Sequence, residues 1–388
     1  MASLPGVIFP WRQRLAACAM TGLVALSCVA DPPRRPDVPK AVPPAPLPPP
    51  EAIEVAATPR TSAIVLVVLD GVRWQEIFEG VDPVLARAQG FPPEDVVDAR
   101  HLMPTLHDVL IAHGAAVGAP GYGPEMRATG PNYVSLPGYT EILGGRTATR
   151  CLDNECPATR EPTVADEMAH LDLDRPRDAA VISSWESIER AASSGGDDVV
   201  ISAGRHHGRN LDGMRSDDEE RALLDQGTRA ASAPGAGDFR PDRFTAEIAL
   251  RYLERDAPRF LFIGLGEPDE YAHQGNYRGY LASLRAADDA LARLVDTLGR
   301  MGERGRRTSV FVTTDHGRAS SFRDHGGYAP ESGRVWLVAS GGSIPETGPV
   351  RSFEPHRLAD IAPTMRALMG LPIDERAAAG RAIEGLAP

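Results

Sequence analysis

Six acidic and histidine side chains of this chain stand directly behind hydrophobic runs. Asp70 follows IVLVVL, Asp269 and His273 lie in FLFIGLGEPDEYAH, and Asp315, His316 and His325 lie in SVFVTTDHGRASSFRDHGG. Carboxylates mixed with imidazoles make a donor set suited to Zn²⁺ and, less distinctively, to Mn²⁺. A lone aspartate at a strand end ordinarily starts a turn or caps a helix. Three such ends carrying Asp, Asp-His and Asp-x-x-x-His point instead to metal ligation. Two divalent cations held side by side suit in-line displacement at phosphorus. A hydroxyl to match is Ser135, in PNYVSLPGYTEILGG, where a helix start and a cation would favour its ionised form. The same position also suits a simple helix cap.

Delivering those residues to one place requires a particular architecture. Near-continuous apolar runs at Ile64–Leu69, Ala179–Ser183, Arg259–Leu265, Ser309–Thr313 and Val335–Ala339 read as strands buried on both faces. Helical patterns at Phe244–Glu254, Tyr280–Leu298 and Arg357–Met369 alternate with them. This predicts an α/β fold with a mostly parallel central sheet and helices on both faces. Ligands in such sheets bind beyond the carboxyl ends of the strands, where the six side chains fall. Ser193–Arg240, rich in Gly, Ser and charge, reads as an insertion or long loop over the sheet, with His206 and His207 on its surface.

The order and content of these motifs resemble the alkaline phosphatase superfamily, in particular its nucleotide pyrophosphatase/phosphodiesterase-like branch, over most of Ala63 to Gly370. The resemblance implies an alkaline phosphatase-like fold and two metal sites. One would use Asp269, His273 and His325, with His356 as the rival third ligand. The other would use Asp70, Asp315 and His316 with the oxygen of Ser135 as nucleophile. Asn154, between Cys151 and Cys156, lies where such relatives place an amide that binds a phosphoryl oxygen, and Asn132 is an alternative donor. The expected activity is hydrolysis of a small phosphate ester, mono- or diester, through a phosphoseryl intermediate and two divalent ions. Sulfatases need Arg at the fourth position after the nucleophile, and Tyr139 stands there. A phosphoglycerate mutase-like phosphotransferase shares the ligand logic, and a non-catalytic surface lipoprotein is the reading of another class. Arg318 is expected at a solvated surface.

The 388 residues suffice for a sizeable core, and a net charge of −12 disfavours nucleic acid as a specific partner. Arg12 and Arg14 precede a short apolar run, Leu15 to Leu26, which predicts an export signal over residues 1–28. Ala25-Leu26-Ser27-Cys28 resembles a lipoprotein cleavage box with Cys28 as the lipidated residue, and plain signal-peptidase cleavage is the alternative. Residues 29–60 are Pro-rich and read as a linker, leaving 61–388 as the metallohydrolase domain. The expected location is the periplasm or cell surface, with membrane contact only through the N-terminal lipid. In an oxidising compartment Cys151 and Cys156 are expected to form a disulfide rather than a metal site.

Overall fold

A computed structural model describes residues 61–171, 177–373 and 380–387. The expected export segment, Cys28 and the Pro-rich stretch lie outside these residues. Strand β1 (Ala63–Leu69) is buried along its whole length. Alternate side chains go to opposite layers: Ile64, Leu66 and Val68 enter one apolar cluster, Val65, Val67 and Leu69 the other. That two-sided burial is why the run is uniformly apolar rather than alternating.

The sheet has nine strands. In chain order they are β1, β2 (Gly114–Val117), β3 (Ala179–Ser183), β4 (Val199–Ala203), β5 (His207–Arg209), β6 (Phe260–Leu265), β7 (Thr308–Thr313), β8 (Leu337–Gly341) and β9 (Gly348–Pro349). Their spatial order is β9-β2-β8-β7-β1-β6-β3-β4-β5. The run β7-β1-β6-β3-β4 is parallel throughout, whereas β8 and β5 run antiparallel to their neighbours. Helices α1 (Ser135–Gly144) and α6 (Ile361–Met369) cover one face, through Leu136, Ile142, Ile361 and Met365. Helices α3 (Asp242–Asp256) and α5 (Tyr277–Arg300) cover the other, through Ile248, Tyr252, Leu284 and Leu291. The expected α/β architecture, a mostly parallel sheet with helices on both faces, is therefore present.

Register aligns the ends that matter. Leu69 pairs with Leu265 and Val68 with Thr313, so β6, β1 and β7 finish side by side. Asp70, the helix α4 (Glu267–His273) and the Asp315-His316 pair emerge from one edge.

Two expectations need correction. Ser193–Arg240 is not a loop laid over the sheet: it supplies β4, β5 and helix α2 (Asp218–Arg229). The strand expected over Val335–Ala339 is interrupted at Trp336. Arg334–Val335 pairs in a separate three-stranded sheet with Met126–Arg127, and Leu337 resumes in the main sheet. Trp336 is wholly buried and its indole N–H donates to the Val72 carbonyl, pinning the crossover.

Candidate functional site

The loop after β1 turns through Gly71 at φ +63°. A Cβ there would collide with the Asp269 and Arg318 side chains, so glycine is required twice over. The turn leaves the Asp70 carboxylate against three groups. Tyr139 donates its hydroxyl to Oδ2 at 2.8 Å, Ser135 Oγ lies 3.4 Å from Oδ1, and His316 Nε2 lies 3.5 Å from Oδ1. Asp315 completes the group, its Oδ2 3.5 Å from His316 Nε2 and its Oδ1 accepting from Gly71 N.

Ser135 opens α1, but its hydroxyl is not the cap: Val134 holds the N-cap position without a side-chain bond. An amide of its first turn, Leu136 N, donates instead to Asn154 Oδ1 at 2.9 Å. Ser135 Oγ therefore faces Asp70 and His316, 3.3 Å from the His316 Nε2. The close approach of α1 depends on Gly138, where a Cβ would strike the Asp315 backbone carbonyl. Asn154 sits within the Cys151–Cys156 disulfide loop, and Asn132 steadies that loop by donating to the Leu152 carbonyl.

A second cluster adjoins the first. His273 Nε2 lies 3.0 Å from Asp269 Oδ2 and 3.0 Å from His325 Nε2, and the His325 and His316 rings stack with centroids 4.0 Å apart. Arg318, expected at the surface, is 3% exposed and pairs with Asp269 Oδ1. His356 is elsewhere: it lies in the small sheet beside Asp360 at 3.8 Å and joins neither cluster.

Tautomers follow from the carbonyls. His316 Nδ1 faces the Gly317 carbonyl at 2.8 Å and His325 Nδ1 faces that of Tyr133 at 2.9 Å. Each Nδ1 must donate, so each neutral ring turns a bare Nε2 lone pair into the site. Burial holds the His316 imidazole down to about 4 and that of His325 down to about 3. Burial, with the charges of Asp315 and Asp269, pushes Asp70 well above the usual carboxylate range, and burial lifts Asp315 to about 7. Asp269 is opposite in sign. Burial alone would raise it, but the Arg318 guanidinium and the two histidines take it well below the ordinary value.

Bare imidazole nitrogens facing crowded carboxylates make no sense as a closed hydrogen-bond network. Asp315 Oδ2 is buried and accepts no hydrogen bond. Asp70, Asp315 and His316 form one group whose ligand atoms lie within 4.8 Å of one another, and Asp269, His273 and His325 form another. Both sets fit a divalent cation by donor type and by missing charge. A cleft of about 150 Å³ opens over them, lined also by Asn154, Trp185, Phe239 and Glu270. The sequence reading had not singled out these last three, nor Tyr139 and Arg318 as site residues. Tyr139, one helical turn after Ser135, and Arg318, two residues after His316, could have been found by spacing.

Residues 237–373 match the model of a family described as the Metalloenzyme superfamily. That stretch carries Asp269, His273, Asp315, His316 and His325, but neither Asp70 nor Ser135. Among curated proteins the chain is similar to 2,3-bisphosphoglycerate-independent phosphoglycerate mutases. One from Rippkaea orientalis is 28% identical over 142 residues, which cover 33% of this chain and 25% of the relative. One from Shewanella amazonensis is 29% identical over 163 residues, covering 40% and 28%. The match thus spans only about a quarter of each relative. Among solved structures, the lipoteichoic acid synthase LtaP from Listeria monocytogenes superposes with a TM-score of 0.52 at 11% identity, covering 84% of this chain and 76% of that one. A 2-O GAG sulfatase gives 0.50 at 11% identity, covering 82% and 72%. The chain is thus similar to the Metalloenzyme superfamily over one segment, and its fold is alkaline phosphatase-like.

Proposed function

We propose that the protein is a metal-dependent hydrolase of small phosphate esters, of the phosphodiesterase-like kind, with Ser135 as nucleophile. The observation that carries this reading is the Ser135 hydroxyl at the start of α1, turned from capping toward Asp70 and the bare His316 Nε2. Asp70, Asp315 and His316 would hold one divalent cation, and Asp269, His273 and His325 the other, with Zn²⁺ or Mn²⁺ matching the donors. Bound there, the cations supply positive charge against the ester oxygens and favour ionisation of the serine.

The protein's own groups do the rest. The Ser135 oxygen forms a bond to phosphorus while the bond to the leaving alcohol breaks, and the serine proton passes through solvent to the departing alkoxide, giving a phosphoserine and a free alcohol. Water then attacks phosphorus, releases phosphate or a phosphomonoester, and regenerates the serine. The positive end of α1 favours the serine oxyanion. The Asn154 amide, bonded through its oxygen to Leu136 N, keeps its N–H₂ to donate to a phosphoryl oxygen. Tyr139 fixes the orientation of Asp70 where a sulfatase would need arginine, which favours phosphate over sulfate esters. Wild-type protein supplied with Zn²⁺ or Mn²⁺ should hydrolyse bis-p-nitrophenyl phosphate or p-nitrophenyl phosphate faster than p-nitrophenyl sulfate. Ser135→Ala should lose at least about 10³-fold in kcat while still binding metal. Turnover surviving that substitution would remove Ser135 from the mechanism.

Export with lipidation at Cys28 belongs to the same proposal, supported by the residues preceding it and by the Cys151–Cys156 disulfide. Labelled palmitate should enter the expressed protein and fail to enter Cys28→Ser. Equal labelling of both would overturn it.

A further inference from the structure

A second pocket, of about 310 Å³, opens beside the loop that follows β7 and shares no lining residue with the cleft over the metal sets. Three guanidiniums line it, those of Arg73, Arg318 and Arg334, together with Trp74, Gln75 and Ser320. Gly317 lets the loop close on the turn that carries Glu331 and Arg334. A Cβ there would strike the Arg334 carbonyl, and Gly317 N donates to the Ser332 carbonyl at 2.7 Å.

Positive charge is concentrated around this space. Arg73 and Arg318 both stand over the Phe322 ring, 5.6 and 5.9 Å from its centroid. Arg73 is paired with Glu76, and Arg318 with Asp269, a carboxylate that the proposed cation would also claim. Arg334 is the least balanced of the three. It shares Glu125 with Arg127, which takes the nearer position at 2.7 Å against 3.6 Å. Its Nη2 donates to the Gly118 carbonyl, and its Nε is sealed from solvent with no hydrogen-bond partner. A buried donor without an acceptor is costly, and an acceptor brought by a ligand would remove that cost. The one carboxylate among the lining residues, Glu331, is exposed and accepts from Ser320 N. Donors thus outnumber acceptors, which selects an anion. A space of this size holds an organic molecule rather than a bare oxyanion. Guanidiniums match a carboxylate, and the Trp74 indole, over which Arg334 lies at 5.5 Å, suits a flat unsaturated body.

We infer that this pocket binds an aromatic carboxylate, its carboxylate held by Arg334 and its ring by Trp74. Binding there is independent of the proposed hydrolysis, so calorimetry reads it rather than turnover. Benzoate titrated into the full chain supplied with Zn²⁺ should give a saturable heat, and neutral benzamide should bind at least about tenfold more weakly. Arg334→Met keeps the aliphatic stem, and Ser320→Glu adds a carboxylate at an exposed position where the fold is not disturbed. Each should weaken benzoate binding at least about tenfold. Equal affinity for benzoate and benzamide, or benzoate affinity unchanged in Ser320→Glu, overturns the inference. Binding lost in His273→Ala and kept in Ser320→Glu also sinks it, because the anion then sits at the metals. So does the absence of saturable benzoate binding by wild type.

Discussion

Tyr139 is the side chain whose meaning changed most between sequence and structure. As a letter it only replaces an arginine; in place it donates to Asp70 Oδ2 and leaves Oδ1 facing Ser135 and His316. Tyr139→Phe keeps the ring packing against Phe262 and removes only that bond. The expected result is a five- to tenfold fall in kcat/KM, about 1 kcal/mol for one hydrogen bond, with thermal stability almost unchanged. An unaffected rate would mean that Asp70 is positioned by its other contacts alone. Arg318 makes a related point, since no apolar run surrounds it in sequence and its burial comes from tertiary packing.

Among elements, α4 is the one whose placement the site depends on and whose anchor lies far away in sequence. Asp242 accepts from Gly266 N, Glu267 N and the Ser184 hydroxyl, so a residue of α3 caps the start of α4. Asp242→Ala would strand those donors in a buried position and should cost about 2–4 kcal/mol in urea unfolding. It should also weaken the metal set of Asp269, His273 and His325 more than the other, measured by competition with a chelator. Equal weakening would show that α4 is held by its packing. This separation of near and far explains what could be read from the chain. Strands β1, β3, β6 and β7 were legible because burial on both faces makes them uninterrupted apolar runs, and the candidate ligands stood out because they sit at the ends of those runs. Strand β4 was missed because its four apolar residues and one serine stand among glycines, serines and aspartates, and β5 because an edge strand reading HGR carries no apolar signal. The small helix-capping and cleft residues answer to neighbours that only folding supplies.

For the whole molecule, the balance of buried acids sets a pH response. Asp315, Asp242 and Glu141 are each lifted to about 7, burial being the largest cause, and Asp70 is raised as well. A carboxyl raised on folding adds stability at low pH and loses it as pH rises through the folded value. His316 and His325, lowered on folding, act in the opposite sense, but only below the ordinary histidine range. The two effects oppose each other up to about pH 6.5; above it the raised carboxylates titrate, and His273, raised by its hydrogen bond with Asp269, titrates in the same sense. Metal-free protein should therefore lose melting temperature between about pH 6.5 and 8, and metal-loaded protein should lose less, because cations replace the protons on Asp70 and Asp315. Parallel melting curves would argue against metal at that set. The adjacency of β6, β1 and β7 has a consequence for how the molecule is made. Each candidate metal set draws on ends that meet only when β7 has docked beside β1, although the two are separated by most of the domain. Metal uptake would thus report the docking of β7: a nascent or truncated polypeptide stopping short of β7 lacks ligands of both candidate sets.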